Sequence, residues 1–145
     1  MDVENAVVPT PQQIQTLSEP GRGGPIFMLN LLKFKQRAEY PDGRECDLTG
    51  REAYDLYGKE VVAHLAKVGG KPIFAGDVTQ LLLGNVEELW DEVAIAMYPD
   101  RAAMLRMITD PAYQQSAIHR AAGLEGQLNI ETVLPSGLAG FAPAS

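Results

Sequence analysis

One run of eleven residues, PIFMLNLLKFK at positions 25–35, constrains this chain more than any other feature. Both of its alternate sets are apolar: Phe27, Leu29 and Leu31 on one side, Ile26, Met28, Leu32 and Phe34 on the other. Successive strand side chains point to opposite faces, so a strand of this kind must be covered on both. Asn30 breaks the pattern in mid-run. A buried carboxamide costs roughly 1–3 kcal/mol if its polar atoms go unmet. Asn30 therefore bonds neighbouring backbone, or it meets a ligand carbonyl or hydroxyl in a pocket. It reaches such a pocket only if its face of the strand is the helix-covered one.

Punctuation and periodicity place the other elements. Thr10-Pro11 predicts a short helix through Leu17, broken by EPGRGG at 19–24. Residues 36–48 are polar and turn-rich and read as an exposed, mobile excursion. Thr49 with Glu52 forms a capping box that opens a helix to Val68, closed by Gly69-Gly70. Its buried stripe is Tyr54, Tyr57, Val61, Leu65 and Val68. Residues 71–84 read as a long second strand and 90–98 as a third, the two forming a hairpin. Asp100 caps a further helix, Asp110-Pro111 restarts it, and Gly123 ends it. Residues 124–134 are a last strand, polar on one face.

The resulting organisation is an N-terminal extension (1–24), a domain (25–134) and a tail (135–145) that is weakly structured or an arm that orders on a partner chain. The domain order β-α-β-β-α-β is the split, ferredoxin-like α+β arrangement: a four-stranded antiparallel sheet with helices on one face. The second sheet face would be bare in a monomer, although the central strands are apolar on both sides. A symmetric homodimer packed sheet to sheet is the expected cover.

Charge narrows the partners. Twelve Lys and Arg against nineteen Asp and Glu leave a net charge of −7, which disfavours nucleic acid and anionic membrane. Cys46 is the single cysteine, so there is no intramolecular disulfide and no thiolate cluster, and the expected compartment is a reducing cytoplasm. The N-terminus lacks a signal-like apolar run. His64 and His119 have no acidic companions at ligand spacing, and GRGG at 21–24 precedes a strand instead of following one. The expectation is no metal and no cofactor.

The candidate site residues are few. Tyr54 and Tyr57 share the buried stripe, and their phenols need partners or a cavity. His64 beside them is a candidate general base; as a bland alternative it is a surface-edge histidine. Asp77 alternates into an apolar face, with Lys33 as its possible partner. Trp90 packs or binds at the start of the third strand. Arg101 is a surface charge at a helix start or the anchor for a ligand carboxylate at the cavity mouth. The expected pocket lies between the first long helix and the sheet.

The strings PIFMLNLLKFK, REAYDLYGKEV, GGKPIFAGDV and WDEVAIAMYPDRAAMLRMITDPAYQQ resemble domain of unknown function family 1330. That family is similar to the dimeric α/β-barrel proteins, which include cofactor-free monooxygenases, muconolactone isomerase and dye-type peroxidases. The resemblance covers roughly residues 25–133 and implies a dimer with a small-molecule cavity; haem does not carry over. The expected function is small-molecule binding, with cofactor-independent chemistry of the oxygenase, isomerase or lyase type on a hydrophobic carbonyl-bearing substrate. Tyr54 or His64 would move the proton, with Asn30, Tyr57, Asp77, Trp90 and Arg101 as ligand contacts. The alternatives are a non-catalytic binder and a purely structural homodimer.

Overall fold

Capping chemistry sets the helix boundaries in the computed structural model, which describes residues 2–135. Helix α1 (Pro11–Leu17) starts at Thr10 and α2 (Gly50–Lys67) at Thr49. Each threonine hydroxyl accepts the backbone N–H of Gln13 or Glu52, whose side chain accepts the threonine N–H in return. Asp100 and Asp110 cap α3 (Arg101–Ile108) and α4 (Pro111–Gly123). α2 closes at Gly69, whose φ of 80° is left-handed.

Strands β1 (Ile26–Phe34), β2 (Lys71–Asp77), β3 (Glu92–Tyr98) and β4 (Leu124–Thr132) form one sheet in the order β2-β3-β1-β4. Every pairing is antiparallel. This is the ferredoxin-like topology. The core lies between one sheet face and the helices, where Ile26, Met28 and Leu32 meet Tyr54, Tyr57, Leu65, Met107 and Tyr113. Register sets Asn30 opposite Ala94 in β3 and Asn129 in β4. Alternation with buried Met28 and Leu32 thus assigns Asn30 to the helix-covered face. Phe27, Leu29 and Leu31 point the other way, together with Phe74, Ile95 and Ile130. Phe74 is 56% exposed and Ile130 42%.

The second strand is shorter than expected. β2 ends at Asp77, and beyond the bond from Val78 N–H to Asp91 O (2.9 Å) the chain leaves the sheet. β3 starts only at Glu92, so residues 79–84 have no strand opposite them, and Leu82 and Leu83 project 89% and 92% exposed. An apolar run without a partner strand cannot satisfy its backbone in a ladder.

The 36–48 excursion is exposed over most of its length and free of helix and strand, as expected, but two of its residues dock on the domain. Ala38 N–H donates to Leu48 O (3.0 Å) and Glu39 N–H to Ala122 O (2.9 Å). Ala38 and Tyr40 are buried with Ala53 and Ala122 in a second small core. Tyr40 is the anchor. Its hydroxyl meets His119 Nδ1 at 2.7 Å, and the Arg44 guanidinium lies 4.7 Å from its ring centre. The expectation for the C-terminal tail falls outside the described residues from 136 onward.

At its N-terminus the chain folds back on the domain. Ala6 exchanges two backbone bonds with Gln127 (2.9 and 3.0 Å) at the outer edge of β4, and α1 lies against α3.

Three elements meet at one backbone junction. Lys35 N–H donates to Gly123 O (2.8 Å), and Gly50 N–H donates to Lys35 O (3.1 Å). A Cβ on Gly123 would collide with the Gly50 carbonyl oxygen, and one on Gly50 would collide with Lys35 O and lie 2.7 Å from Gly123 O. These obstacles are backbone and cannot swing aside. Gly123→Ala should therefore lower stability by about 1–3 kcal/mol. Gly58, mid-way along α2, has open space where its Cβ would stand, so Gly58→Ala should raise stability by about 0.5–1 kcal/mol. Urea denaturation of the two variants reads these opposite signs; a neutral Gly123→Ala would contradict the junction.

Candidate functional site

A cavity of about 970 Å³ separates the helices from the covered face of the sheet. Met28 and Asn30 of β1 form its floor, Tyr54 and Tyr57 of α2 one wall, and Val7 and Ile14 of the N-terminal segment another. The volume suits a small organic molecule.

A hydrogen-bonded chain crosses the floor. Asn30 Nδ2 donates to Met28 O (3.2 Å) and Ala94 O (3.1 Å). Asn30 Oδ1 accepts from Gln127 Nε2 (3.2 Å) and Asn129 Nδ2 (3.0 Å). Gln127 Oε1 in turn accepts from Arg120 Nη2 (3.0 Å). Asn30 meets its polar needs inside the protein, and its direct effect is to orient Gln127.

Four buried tyrosines surround this chain. The hydroxyls of Tyr57 and Tyr113 bond each other at 2.9 Å. Those of Tyr54 and Tyr98 have no partner among the described residues. Yet no fully buried side-chain polar atom is left unsatisfied there, so these two hydroxyls open onto the cavity that both residues line. Burial pushes the phenols of Tyr54, Tyr57 and Tyr98 well above 10.0, and the nearby Arg120 charge only partly offsets it. They stay neutral and serve as donors.

The cavity wall also carries a carboxylate. Glu92 lines it from the start of β3. Burial raises its carboxyl above the usual range, opposed by Arg51, whose Nη1 lies 3.3 Å from Oε1. A carboxylate shifted in this direction is a better proton acceptor.

Of the residues singled out from sequence, Asn30, Tyr54, Tyr57 and Arg101 line the cavity, whereas His64, Asp77 and Trp90 do not. His64 Nε2 meets Ser116 Oγ at 2.9 Å, and that hydroxyl donates to Glu60 Oε1 at 2.6 Å. This clasp joins α2 to α4 away from the cavity. Asp77 is exposed and paired with Arg51 (2.9 Å), while Lys33 pairs with Glu88 (2.7 Å). The expected Lys33–Asp77 pair fails because the two side chains alternate onto opposite faces of the sheet. Trp90 Nε1 donates to Asn5 Oδ1 at 2.8 Å and so holds the N-terminal segment. Arg101 forks onto Glu131 (2.6 and 2.9 Å) and reaches Thr16 O (3.1 Å). The fork holds the Glu131 carboxyl below its usual range and leaves Arg101 committed, so the ligand-anchor reading of Arg101 does not fit.

Sequence reasoning passed over Tyr98, Glu92, Gln127 and Arg120. For Arg120 the signal was available: Tyr113, Ala117 and Arg120 follow i, i+4, i+7 on α4 and share one face. Among the described residues no three His, Cys, Asp or Glu side chains form a metal-holding group, and no helix is long and apolar enough to cross a membrane.

Fold and site define a ferredoxin-like α+β protein with a tyrosine-walled cavity between helices and sheet. The chain belongs to the family described as domain of unknown function (DUF1330), whose model matches residues 44–132. Two crystal structures are similar over nearly the whole chain. Methylated RPA0582 is 38% identical, with 93% of this chain and 99% of that one covered and a TM-score of 0.81. RPA0582 of Rhodopseudomonas palustris, a protein of unknown function, is 36% identical, with 91% and 100% covered and a TM-score of 0.79. SnoaB of Streptomyces nogalater, a cofactor-independent oxygenase, shares the fold at 14% identity, with 81% and 99% covered and a TM-score of 0.51. No curated protein matches the chain.

The neutral phenols have a measurable consequence. In the unfolded chain tyrosine ionises near 10.0, whereas Tyr54, Tyr57 and Tyr98 hold their protons to higher pH in the fold. Folding stability is thus unaffected by them below about pH 10 and falls as pH rises beyond it. Phenolate absorbance should show these three titrating only as the protein unfolds. Their ionisation near pH 10 in folded protein would contradict the burial argument.

Proposed function

We propose that the cavity binds a small hydrophobic carbonyl compound and acts on it by proton transfer without a cofactor. The observation that carries this reading is the pair of unpartnered hydroxyls, Tyr54 and Tyr98, lining a cavity of about 970 Å³. Neutral phenols donate to a carbonyl oxygen, and that bond strengthens as the oxygen gains charge. Glu92 takes the proton from the adjacent carbon; the C–H bond breaks, and its electron pair enters a new C=C bond with charge on oxygen. The enolate is the intermediate that isomerases, lyases and cofactor-free oxygenases share. SnoaB, an oxygenase of the last kind, uses this fold. Asn30 and Tyr57 act as supports here, since both side chains are already paired within the protein. Cys46 is free and half-buried, which fits a reducing cytoplasm.

Proton–deuteron exchange at the carbon next to the carbonyl, followed by NMR across a panel of hydrophobic ketones in D₂O, tests this. Tyr54→Phe and Tyr98→Phe should each slow exchange about 10–100-fold with the melting temperature held, and Glu92→Gln should abolish it. Asn30→Ala and Tyr57→Phe should lower the melting temperature as well. Binding without any exchange would leave a non-catalytic ligand binder.

We further propose a homodimer closed by the uncovered sheet face. Phe27, Leu29, Leu31, Phe74, Ile95 and Ile130 make that face apolar, and a second copy covers it by two-fold symmetry. Light scattering at micromolar concentration should give twice the 15.7 kDa chain mass. A monodisperse monomer would refute the dimer, and Leu29→Lys should produce one.

A further inference from the structure

Of the charged residues that line the cavity, only Arg120 and the exposed Glu4 have no ion pair among the described residues. Arg101 forks onto Glu131, and Glu92 is paired with Arg51. Arg120 has no carboxylate partner among the described residues: its one side-chain hydrogen bond there runs from Nη2 to the neutral Gln127 side chain at 3.0 Å. It is half-buried on the cavity wall, and its charge is felt at Tyr54, Tyr57 and Tyr98. In a chain of net charge −7, an unmatched cation facing an enclosed space is a local exception. A partly desolvated guanidinium is costly without an anion, and its planar fork matches a carboxylate bidentately.

Its surroundings are built to aim it. Asn30 holds Gln127 by a 3.2 Å bond, and Gln127 occupies one N–H of Arg120 from below. The remaining N–H groups have no acceptor among the described residues. On the same cavity, Tyr54 and Tyr98 contribute the two unpartnered hydroxyls. Apolar wall is supplied by Met28, Val61 and Met107.

We propose that the cavity selects organic carboxylates: Arg120 grips the carboxylate, Tyr54 and Tyr98 meet a second oxygen, and the hydrocarbon body lies against Met28, Val61 and Met107. This rests on the reading of the cavity as a small-molecule site and narrows the substrate to a hydrophobic acid that carries a carbonyl.

Calorimetric titration with 2-naphthoate and its neutral isostere 2-naphthamide separates the two claims. Wild-type protein should bind naphthoate about 10–100-fold more tightly than naphthamide. Arg120→Gln should erase that preference while naphthamide affinity stays the same, and Arg106→Gln, which alters an exposed arginine, should keep it. A second measurement needs no variant: naphthoate, and not naphthamide, should protect Arg120 from phenylglyoxal, as mapped by mass spectrometry. Equal binding of the two probes, a preference that survives Arg120→Gln, or equal protection by both would overturn the carboxylate site and leave the cavity reading standing. Failure of both probes to bind would overturn both.

Discussion

The contact at which Lys35 bonds the backbones of Gly50 and Gly123 governs the rest of the molecule. It joins the end of β1, the start of α2 and the end of α4 with no side chain between the helices. From that fixed point the α2–α4 interface grows outward through bulkier groups. The Tyr57–Tyr113 hydroxyl pair follows, then the His64–Ser116–Glu60 clasp. Helices pinned by glycine at one end and separated by aromatic rings along their length are hard to close onto the sheet everywhere. Tyrosines bring rigid rings and polar tips that resist the close packing of aliphatic cores, and the cavity lies where Tyr54, Tyr57 and Tyr113 face the sheet.

Polar groups on the covered sheet face give that cavity its chemistry. Asn30, Gln127 and Asn129 stand side by side across β1 and β4 because antiparallel register places 30 opposite 129 and 32 opposite 127. Polar atoms at three such positions would be unfavourable in a dry core. Here they satisfy one another, and the surplus is passed to Arg120 on α4. The sheet therefore determines where the one unpaired guanidinium of the cavity wall is held. On the acidic side, Arg51 stands 2.9 Å from Asp77 and 3.3 Å from Glu92 at the sheet's other edge. The wall thus carries the unpaired Arg120 guanidinium on one side and the Glu92 carboxyl on the other, with neutral phenols between them.

Much of this was legible in the sequence where local chemistry decides the outcome. The capping boxes at Thr10 and Thr49, the Asp110-Pro111 restart and the two-sided run at 25–35 each depend on a few adjacent residues, and each is present in the structure. Leu81, Leu82 and Leu83 misled because their apolar character says nothing about whether a partner strand lies opposite. The 36–48 segment was read correctly as an exposed excursion, but its polar composition hid the one ring, Tyr40, that docks it. Side-chain partners were the least legible. Whether Arg101 or Arg120 is free depends on where Glu131 falls, and Glu131 lies thirty positions from Arg101, brought to it by the register of β4. Asn30 was recognisable as an anomaly, but its face followed only from the pairing with β3 and β4.

The N-terminal segment changes what the family match means for this site. The match spans residues 44–132, which includes Tyr54, Tyr57, Tyr98, Tyr113, Arg120 and Gln127, the groups that give the cavity its donors and its cation. Asn30 and the wall formed by Val7, Ile14 and Leu17 lie outside it. That wall is held by three separate ties: Asn5 to Trp90, Ala6 to Gln127, and Arg101 to Thr16 O. Each tie uses a residue of the matched region as its anchor. Trp90 and Arg101 thus bear on the cavity indirectly, by fixing the segment that forms one of its walls. The cavity's hydroxyls and its cation belong to the shared region, and part of its wall belongs to a segment that the shared region merely fastens. Substitution along residues 6–17 would accordingly change the shape of the cavity while leaving its hydroxyls and its cation in place.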